Sequence, residues 1–407
     1  RMTRPFLTLA CSALAWLPPL ALASASASTF AIAQPPASAG ARAAQPPTND
    51  YLVYTVAESA DQLALVRFGP GGIRVEREHK VGMMPTEING PHGVAASPDG
   101  KSYYVSIGHG TPYGTFWKYR ATDGEVLGRT TLGLFPATIQ LTPDGALAFV
   151  ANFNLHGDMV PSSISVVSTD EMVEIARITT CTMPHGSRVN PAGTHQYSAC
   201  MMDDMLVEID TRTLDVSRHF VVSKGKEQGM SGAPSTMGGG AHAGHETSSP
   251  GAGMAAGHNV QCSPTWAQPS VDGRRIYVAC NKSNEIVEVD AESWTMIRRF
   301  PAGDGVYNLA VSPDGKYVIG TNKRGKSVSV FEAGSGREVA RIPTYKGVVH
   351  GVVVSPDSRY AFVTEEGRGS EPGIVEVFDL GSFTSVARAE LGQQAAGIDF
   401  FRMEPAR

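Results

Sequence analysis

The sequence predicts an all-β fold, a seven-bladed β-propeller closed by pairing of its N- and C-terminal strands. Three observations carry this. A hairpin pattern recurs six times, its spacing is nearly constant, and the two ends of the chain hold complementary partial units. The pattern is a small-residue lead-in, a short apolar run, a turn of the Ser-Pro-Asp-Gly type and a second apolar run. The stretch from Gly90 to Gly100, followed by Ser102 to Ser106, shows it in full. Proline presets the first turn position, Asp caps the turn and Gly takes the dihedral angles other residues avoid. The turns close at residues 100, 145, 193, 273, 315 and 358, at intervals of 45, 48, 80, 42 and 43. A period in the forties with four short strands per unit belongs to propeller blades. The interval of 80 holds one period plus an insertion of roughly 35 residues.

Taken in order, residues 1–33 read as a secretory signal peptide. Arg1 and Arg4 open it, Phe6 to Leu22 is apolar, and Ala31-Ile-Ala33 offers a small-residue cleavage site. Cleavage there removes two arginines and no acid, moving the formal charge from −5 to −7. A periplasmic or secreted protein is expected. Residues 34–50, rich in Pro, Ala and Gln, read as a disordered leader. The propeller spans 51–402. Three strands near 51–56, 62–67 and 74–78 lack a hairpin partner, and the run Ala395 to Phe401 looks like a first strand with no hairpin after it. Together they complete one composite blade, and closure removes exposed sheet edges. The remaining blades fall near 87–133, 134–181, 182–224, 260–303, 304–346 and 347–392. Their outer strands, such as Ile286-Val-Glu-Val-Asp290, alternate apolar and polar as half-buried strands do.

The mild negative charge and the lack of a basic run argue against nucleic acid as a partner. No later stretch is long and apolar enough to span a bilayer as a helix. A monomer is expected, with a protein partner on one face as one possible role. No Gly-x-Ser-x-Gly elbow, P-loop or dinucleotide fingerprint is present, and no Cys-x-x-Cys-His for covalent haem. Whether the chain is an enzyme stays open.

Tyr277-Val-Ala-Cys-Asn281, with Ser283-Asn284 and the strand that follows, resembles the YVTN repeat of YncE-like propellers. Tyr317 to Asn322 and Phe149 to Asn152 are looser matches. The resemblance covers roughly residues 51–402. It implies a seven-bladed propeller, with the haem-binding propeller of dissimilatory nitrite reductases and the propeller lactonases as more distant relatives.

The first strand of each blade lines the central channel. Aligning the hairpins places His92, Ala137, His185, Thr265, Tyr307, His350 and Ala396 at one level near the face opposite the Ser-Pro-Asp-Gly turns. Three of these seven are histidine. Imidazoles at one depth around a narrow axis are a candidate metal site, or else water-bathed channel residues without a ligand. The insertion, residues 225–259, reads as a flexible Gly-rich segment. Its large ligand-type side chains are Met230, Met237, His242, His245, Met254 and His258. Thioether and imidazole donors suit copper; haem ranks second. Met83, Met84, Met183, Met201, Met202, Met205, His109 and His156 fall on the same face, as do Asp203, Asp204, Glu365 and Glu366. Three readings follow: a metal-binding propeller, a metal- or haem-dependent oxidoreductase or lactonase-like hydrolase at the same mouth, and an interaction scaffold with an empty channel.

Cys11 leaves with the signal, so an even set of four cysteines remains. Directly opposed residues of a hairpin share a constant index sum. The turns set sums of 383 and 543, and the pairs 181/200 and 262/280 give 381 and 542. Disulfides Cys181–Cys200 and Cys262–Cys280 are expected, each across its own hairpin; free thiols for a soft metal are the alternative.

Overall fold

Six tight hairpins and one composite unit leave the chain little choice but a ring of small sheets. In the computed structural model, which describes residues 43–84, 86–109, 113–234 and 259–406, that ring is a seven-bladed propeller. Five blades are separate four-stranded sheets. The other two, blades 4 and 5, merge into a nine-stranded sheet through one parallel bridge, Gly186 to Trp266, between their innermost strands. Blade 1 is the composite. The strand Ala395–Pro405 lies innermost and pairs antiparallel with Asn49–Ala57, which continues to Gln62–Gly69 and Gly72–Lys80. Arg67, 2 % exposed, locks this closure. It meets Asp50 at 2.8 Å, Glu404 at 2.7 Å and Glu76, so one guanidinium ties the first and last strands of the ring.

The innermost strands of blades 2 to 7 are Pro91–Ala96, Pro136–Leu141, Pro184–Val189, Pro264–Pro269, Val306–Val311 and Val348–Val354. Each packs against the innermost strands of both neighbours, and Ala395–Pro405 completes the circle. The apolar cores lie between adjacent blades. Tyr54 and Leu65 of blade 1 meet Tyr103 and Val105 of blade 2, and the other junctions repeat the scheme.

Both disulfides form as paired from the sequence. Cys262–Cys280 closes the open end of its own hairpin as expected, whereas Cys181–Cys200 does not. Cys181 ends the outermost strand of blade 3, Val173–Thr182, so its bond to Cys200 joins blade 3 to blade 4. The index sum was satisfied because a blade's outer strand leads straight into the next blade's inner strand. Cys262 precedes the inner strand of blade 5 and fixes the chain returning from the insertion to Cys280. The enclosed separations are 19 and 18 residues. Each bond contributes about 3 kcal/mol in the chain-entropy account.

Two segments are more ordered than the sequence suggested. The leader gives way to strand at Asn49, and Arg359 donates to the carbonyls of Gln45 and Pro46 at 2.6 and 3.0 Å. The insertion begins with a fifth strand on blade 4, Gln228–Ser231, paired with Asp215–Val221. Gly229 makes this possible: a Cβ there would sit 2.3 Å from the Trp294 carbonyl. The signal segment, the leader up to residue 42, and Met237, His242, His245, Met254 and His258 lie outside the described residues. No helix among the described residues is long and apolar enough to cross a membrane.

Candidate functional site

Two backbone devices aim side chains into the channel. Two residues before the aligned level, the lead-in residue has positive φ in blades 1 to 6: Gln394, Gly90, Phe135, Met183, Ser263 and Gly305. Glycine takes that conformation freely; for Phe135 and Met183 it is strained, and the surrounding fold must hold it. Immediately afterwards, each inner strand of blades 2 to 7 shifts register against its neighbour, between Pro91 and Gly93 in blade 2 and at the equivalent point elsewhere. A bulge turns one side chain away from the sheet's normal alternation. Here it turns the residues at the level of His92.

Side-chain donors link this level around the ring. Ser106 donates to the Ala137 carbonyl at 2.6 Å, Thr265 to Tyr307 at 2.7 Å, Thr321 to His350 at 2.8 Å and Thr364 to Ala396 at 2.6 Å. Thr138 donates to the His185 carbonyl. Between blades 4 and 5 the donor is an imidazole: His185 Nδ1 lies 3.1 Å from the Thr265 carbonyl. That bond fixes the tautomer, with the proton on Nδ1 and the lone pair on Nε2. Nε2 then accepts from the Tyr307 hydroxyl at 3.1 Å.

The structure brings His92, His185 and His350 together. The His92 ring centroid lies 5.7 Å from that of His185 and 5.6 Å from that of His350. Two imidazoles on one ion at ordinary metal–nitrogen distances have centroids about 5 Å apart. Two of the three Nδ1 atoms face an outward partner, that of His185 as just described. His92 Nδ1 meets the Glu58 carboxylate, itself held by Gln394 Nε2. Among the described residues His350 Nδ1 is buried without a hydrogen-bond partner. Its Nε2 is 3.9 Å from Glu366, which pairs with Lys323 at 3.0 Å. His92 Nε2 is buried and has no partner. Burial is the main force on two of these rings. It pushes His185 down to about 3 and His350 well below its ordinary value, with neighbouring positive groups adding to it, so both imidazoles are neutral. For Glu58 burial works upward, but His92, Lys323 and His109 outweigh it and hold the carboxyl below its usual range.

The sequence expected an open mouth at this level, on the face away from the turns. The structure corrects that. The three histidines are 8 %, 0 % and 5 % exposed in chain order. Phe135 packs edge-on against His92 at 5.5 Å and Phe153 against His185 at 4.7 Å. A cavity of about 440 Å³ runs from the histidines the other way, to the prolines of the Ser-Pro-Asp turns. Pro98, Pro143, Pro191 and Pro313 rim it. The rim is tight: a Cβ on Gly193, whose φ is +72°, would sit 2.9 Å from Pro143 of the preceding blade.

The other predicted residues are dispersed. Met230 sits on the outermost strand of blade 4, opposite His219, with three strands between it and the strand of His185. Met183, Met201 and Met202 pack with Phe135 and Phe153. His109 and His156 lie 5.5 Å apart beside Phe135. Asp204 is structural: it accepts from the backbone amides of Gln261, Cys262 and Ser263 and from Ser223, and so anchors the returning chain. Glu365 is buried beside Glu376, which together with desolvation pushes its carboxyl up to about 9. Sequence reasoning missed Glu58 and Lys323. Glu58 follows a second strand, as His109 and His156 do, and the same loop position would have pointed to it.

Among the described residues no group of three or more His, Cys, Asp or Glu is already gathered to hold a metal ion. Several features nonetheless suit one: His185 and His350 are neutral, His92 and His185 turn Nδ1 to outward acceptors, and among the described residues His92 Nε2 is buried without a partner, as a metal-binding imidazole set requires. No protein-family model matches the sequence, and no curated protein matches it. Solved structures match the fold. A hydrazine synthase chain from Kuenenia stuttgartiensis superposes with a TM-score of 0.58 at 19 % identity, covering 81 % of this chain and 98 % of that one. A protein of unknown function from Desulfotomaculum acetoxidans superposes at 0.62 with 14 % identity, covering 86 % and 98 %. At these identities the likeness establishes the propeller scaffold alone.

Proposed function

We propose that this chain is an exported propeller of the YVTN-repeat type that binds a metal ion, copper first, on the Nε2 atoms of His92, His185 and His350. Its role is metal handling or support of electron transfer. Two disulfides and the basic–apolar N-terminal segment support export. One observation carries the metal reading: three imidazoles meet at one depth, and two of them turn Nδ1 to an outward acceptor, His92 to the Glu58 carboxylate and His185 to the Thr265 carbonyl, the arrangement that orients metal-binding histidines. Neutral imidazole serves either copper oxidation state.

The residues divide the work. Glu58 holds the His92 ring and adds negative charge. The Thr265 carbonyl sets the His185 tautomer. The Tyr307 hydroxyl donates to His185 Nε2 and would have to turn away for that nitrogen to bind an ion. Glu366 offsets the ammonium of Lys323, which lies 4.5 Å from the Tyr307 ring centre. Met230 has no part in this site, because its strand lies at the outer edge of the blade.

The test is elemental analysis of protein isolated from its own cell envelope, followed by titration of stripped protein with Cu(I), Cu(II) and Zn(II). The expected result is a single equivalent bound, and its loss in the triple variant His92→Ala, His185→Ala, His350→Ala. No uptake by the wild type, or equal uptake by the triple variant, would overturn the proposal.

A further inference from the structure

Three residues beyond each histidine level, the inner strands present a second level to the same cavity. At the equivalent positions blades 3, 4, 5 and 1 carry Gln140, Arg188, Gln268 and Asp399. Blade 1 stands three places from blade 4 in a ring of seven, so Arg188 and Asp399 approach the axis from nearly opposite sides. Both charges are half-buried on the channel wall, and among the described residues Arg188 makes no ion pair. Its one hydrogen bond runs from Nη1 to its own neighbour's carbonyl, Ser187, at 2.9 Å. The guanidinium is spread over the Trp266 ring, 4.4 Å from its centre. Asp399 accepts from the Ala96 amide at 2.8 Å and, among the described residues, meets no cation at ion-pair distance.

Two further polar atoms on the cavity wall are buried without partners, the Trp266 indole N–H and the Asn308 amide oxygen. Donors therefore gather on blades 4 and 5, and acceptors on blades 1 and 6. Arg188 and Asp399 feel each other's charge across the cavity but form no ion pair, so each is only partly compensated, and partly buried charges left so are expensive. A molecule carrying both charges relieves both at once. The volume, about 440 Å³, lies within the range of small-molecule sites. Val94, Ile139 and Ile398 supply apolar wall for a short carbon chain.

We propose that this part of the channel is a binding chamber for a small zwitterion of the amino-acid class, its carboxylate on Arg188 and its ammonium on Asp399, entering between the prolines of the turn face. The chamber does not depend on the metal reading; the two share a cavity and no ligating residue.

The experiment titrates metal-free full-length protein with γ-aminobutyrate, butyrate, n-butylammonium and glycine, following tryptophan fluorescence and the thermal midpoint. Wild type is expected to bind γ-aminobutyrate or glycine roughly tenfold or more tightly than either single-charge analogue, as a charged hydrogen bond lost on one side requires. Asp399→Asn should reduce γ-aminobutyrate to the level of butyrate, and Arg188→Gln should reduce it to the level of butylammonium. Should Arg188→Gln fail to fold, Arg188→Lys retains the charge without the guanidinium fork and weakens binding partially. Trp266→Phe should abolish the fluorescence response while the thermal shift remains. Butyrate binding wild type as tightly as γ-aminobutyrate would reduce the site to a simple anion pocket and overturn the proposal. So would the absence of any response to the whole panel. The triple histidine variant keeps its zwitterion response if the chamber stands on its own, whichever way the metal titration falls.

Discussion

The channel carries two levels three residues apart on the same strands, and they solve the problem of buried polarity in opposite ways. At the histidine level His92 and His185 each have a neighbour that answers a ring nitrogen, and burial keeps His185 and His350 uncharged. At the Arg188–Asp399 level the charges persist. Burial lowers Arg188 only to about 10, and Asp399, pushed up to about 6, still ionises near neutrality. Hydrogen bonding is thus spent on the first level within the protein and left available on the second. A level satisfied from outside and open on one nitrogen suits an ion; a level of separated charges suits an organic ligand.

The sharpest way to break this contrast is to empty one level and watch the other. Replacing all three histidines by alanine should lower copper affinity by at least two orders of magnitude, roughly what loss of every imidazole donor demands, and leave γ-aminobutyrate binding unchanged in calorimetry. Loss of both together would mean a single composite site. Next in size, Glu58→Gln keeps the shape of the side chain and removes its charge. Metal affinity should fall about 10–100-fold, the usual effect of losing an outer partner of a ligating histidine, while the thermal midpoint moves little. An unchanged metal titration would show that Glu58 only packs. Third, Thr321→Val deletes the donor to the His350 carbonyl and should cost about 1–3 kcal/mol in denaturant unfolding, because that buried carbonyl loses its side-chain donor. A negligible change would mean that these hydroxyls do not hold the level together.

The smallest effect is one of sign. The contribution of neutral His185 is complete above its ordinary 6.5 and is withdrawn as pH falls toward about 3, because the unfolded chain takes up the proton first; His350 acts likewise. Asp399 runs the other way. Its contribution is complete below 3.8 and is withdrawn as pH rises through about 6, because the folded protein holds that proton more tightly. Unfolding free energies measured between about pH 4 and 6 should therefore rise more steeply with pH in Asp399→Asn than in the wild type. A His185→Gln, His350→Gln variant should show a flatter profile. Parallel profiles in all three would remove the electrostatic distinction between the levels.

Much of this was legible in the sequence, and for identifiable reasons. Turn chemistry is local, so the Ser-Pro-Asp-Gly hairpins announced six blades, and the unpaired ends at Tyr51 and Ala395 announced the seventh. One register carried the histidines to a common level, because each inner strand reaches the axis with the same bulge. The same alignment, moved on by three residues, lines up Arg188, Gln268 and Asp399; a pattern read only for metal donors passes over it. What no local pattern held was the direction of opening. That is decided by Phe135 and Phe153, aromatic side chains from two different places in blade 3 that pack on imidazoles of blades 2 and 4. The Cys181–Cys200 bond shows a related ambiguity, since an index sum cannot tell a hairpin partner from the tail of the preceding blade.

The strand bearing Asp399 is also the one that shuts the ring. A polypeptide that has emerged only as far as blade 7 owns its guanidinium, its indole and its proline rim but lacks the acid that would complete them. Competence for a doubly charged guest is thus acquired only when that strand joins the ring. Clipping that strand by a protease would silence the chamber without marking any residue at its doorway.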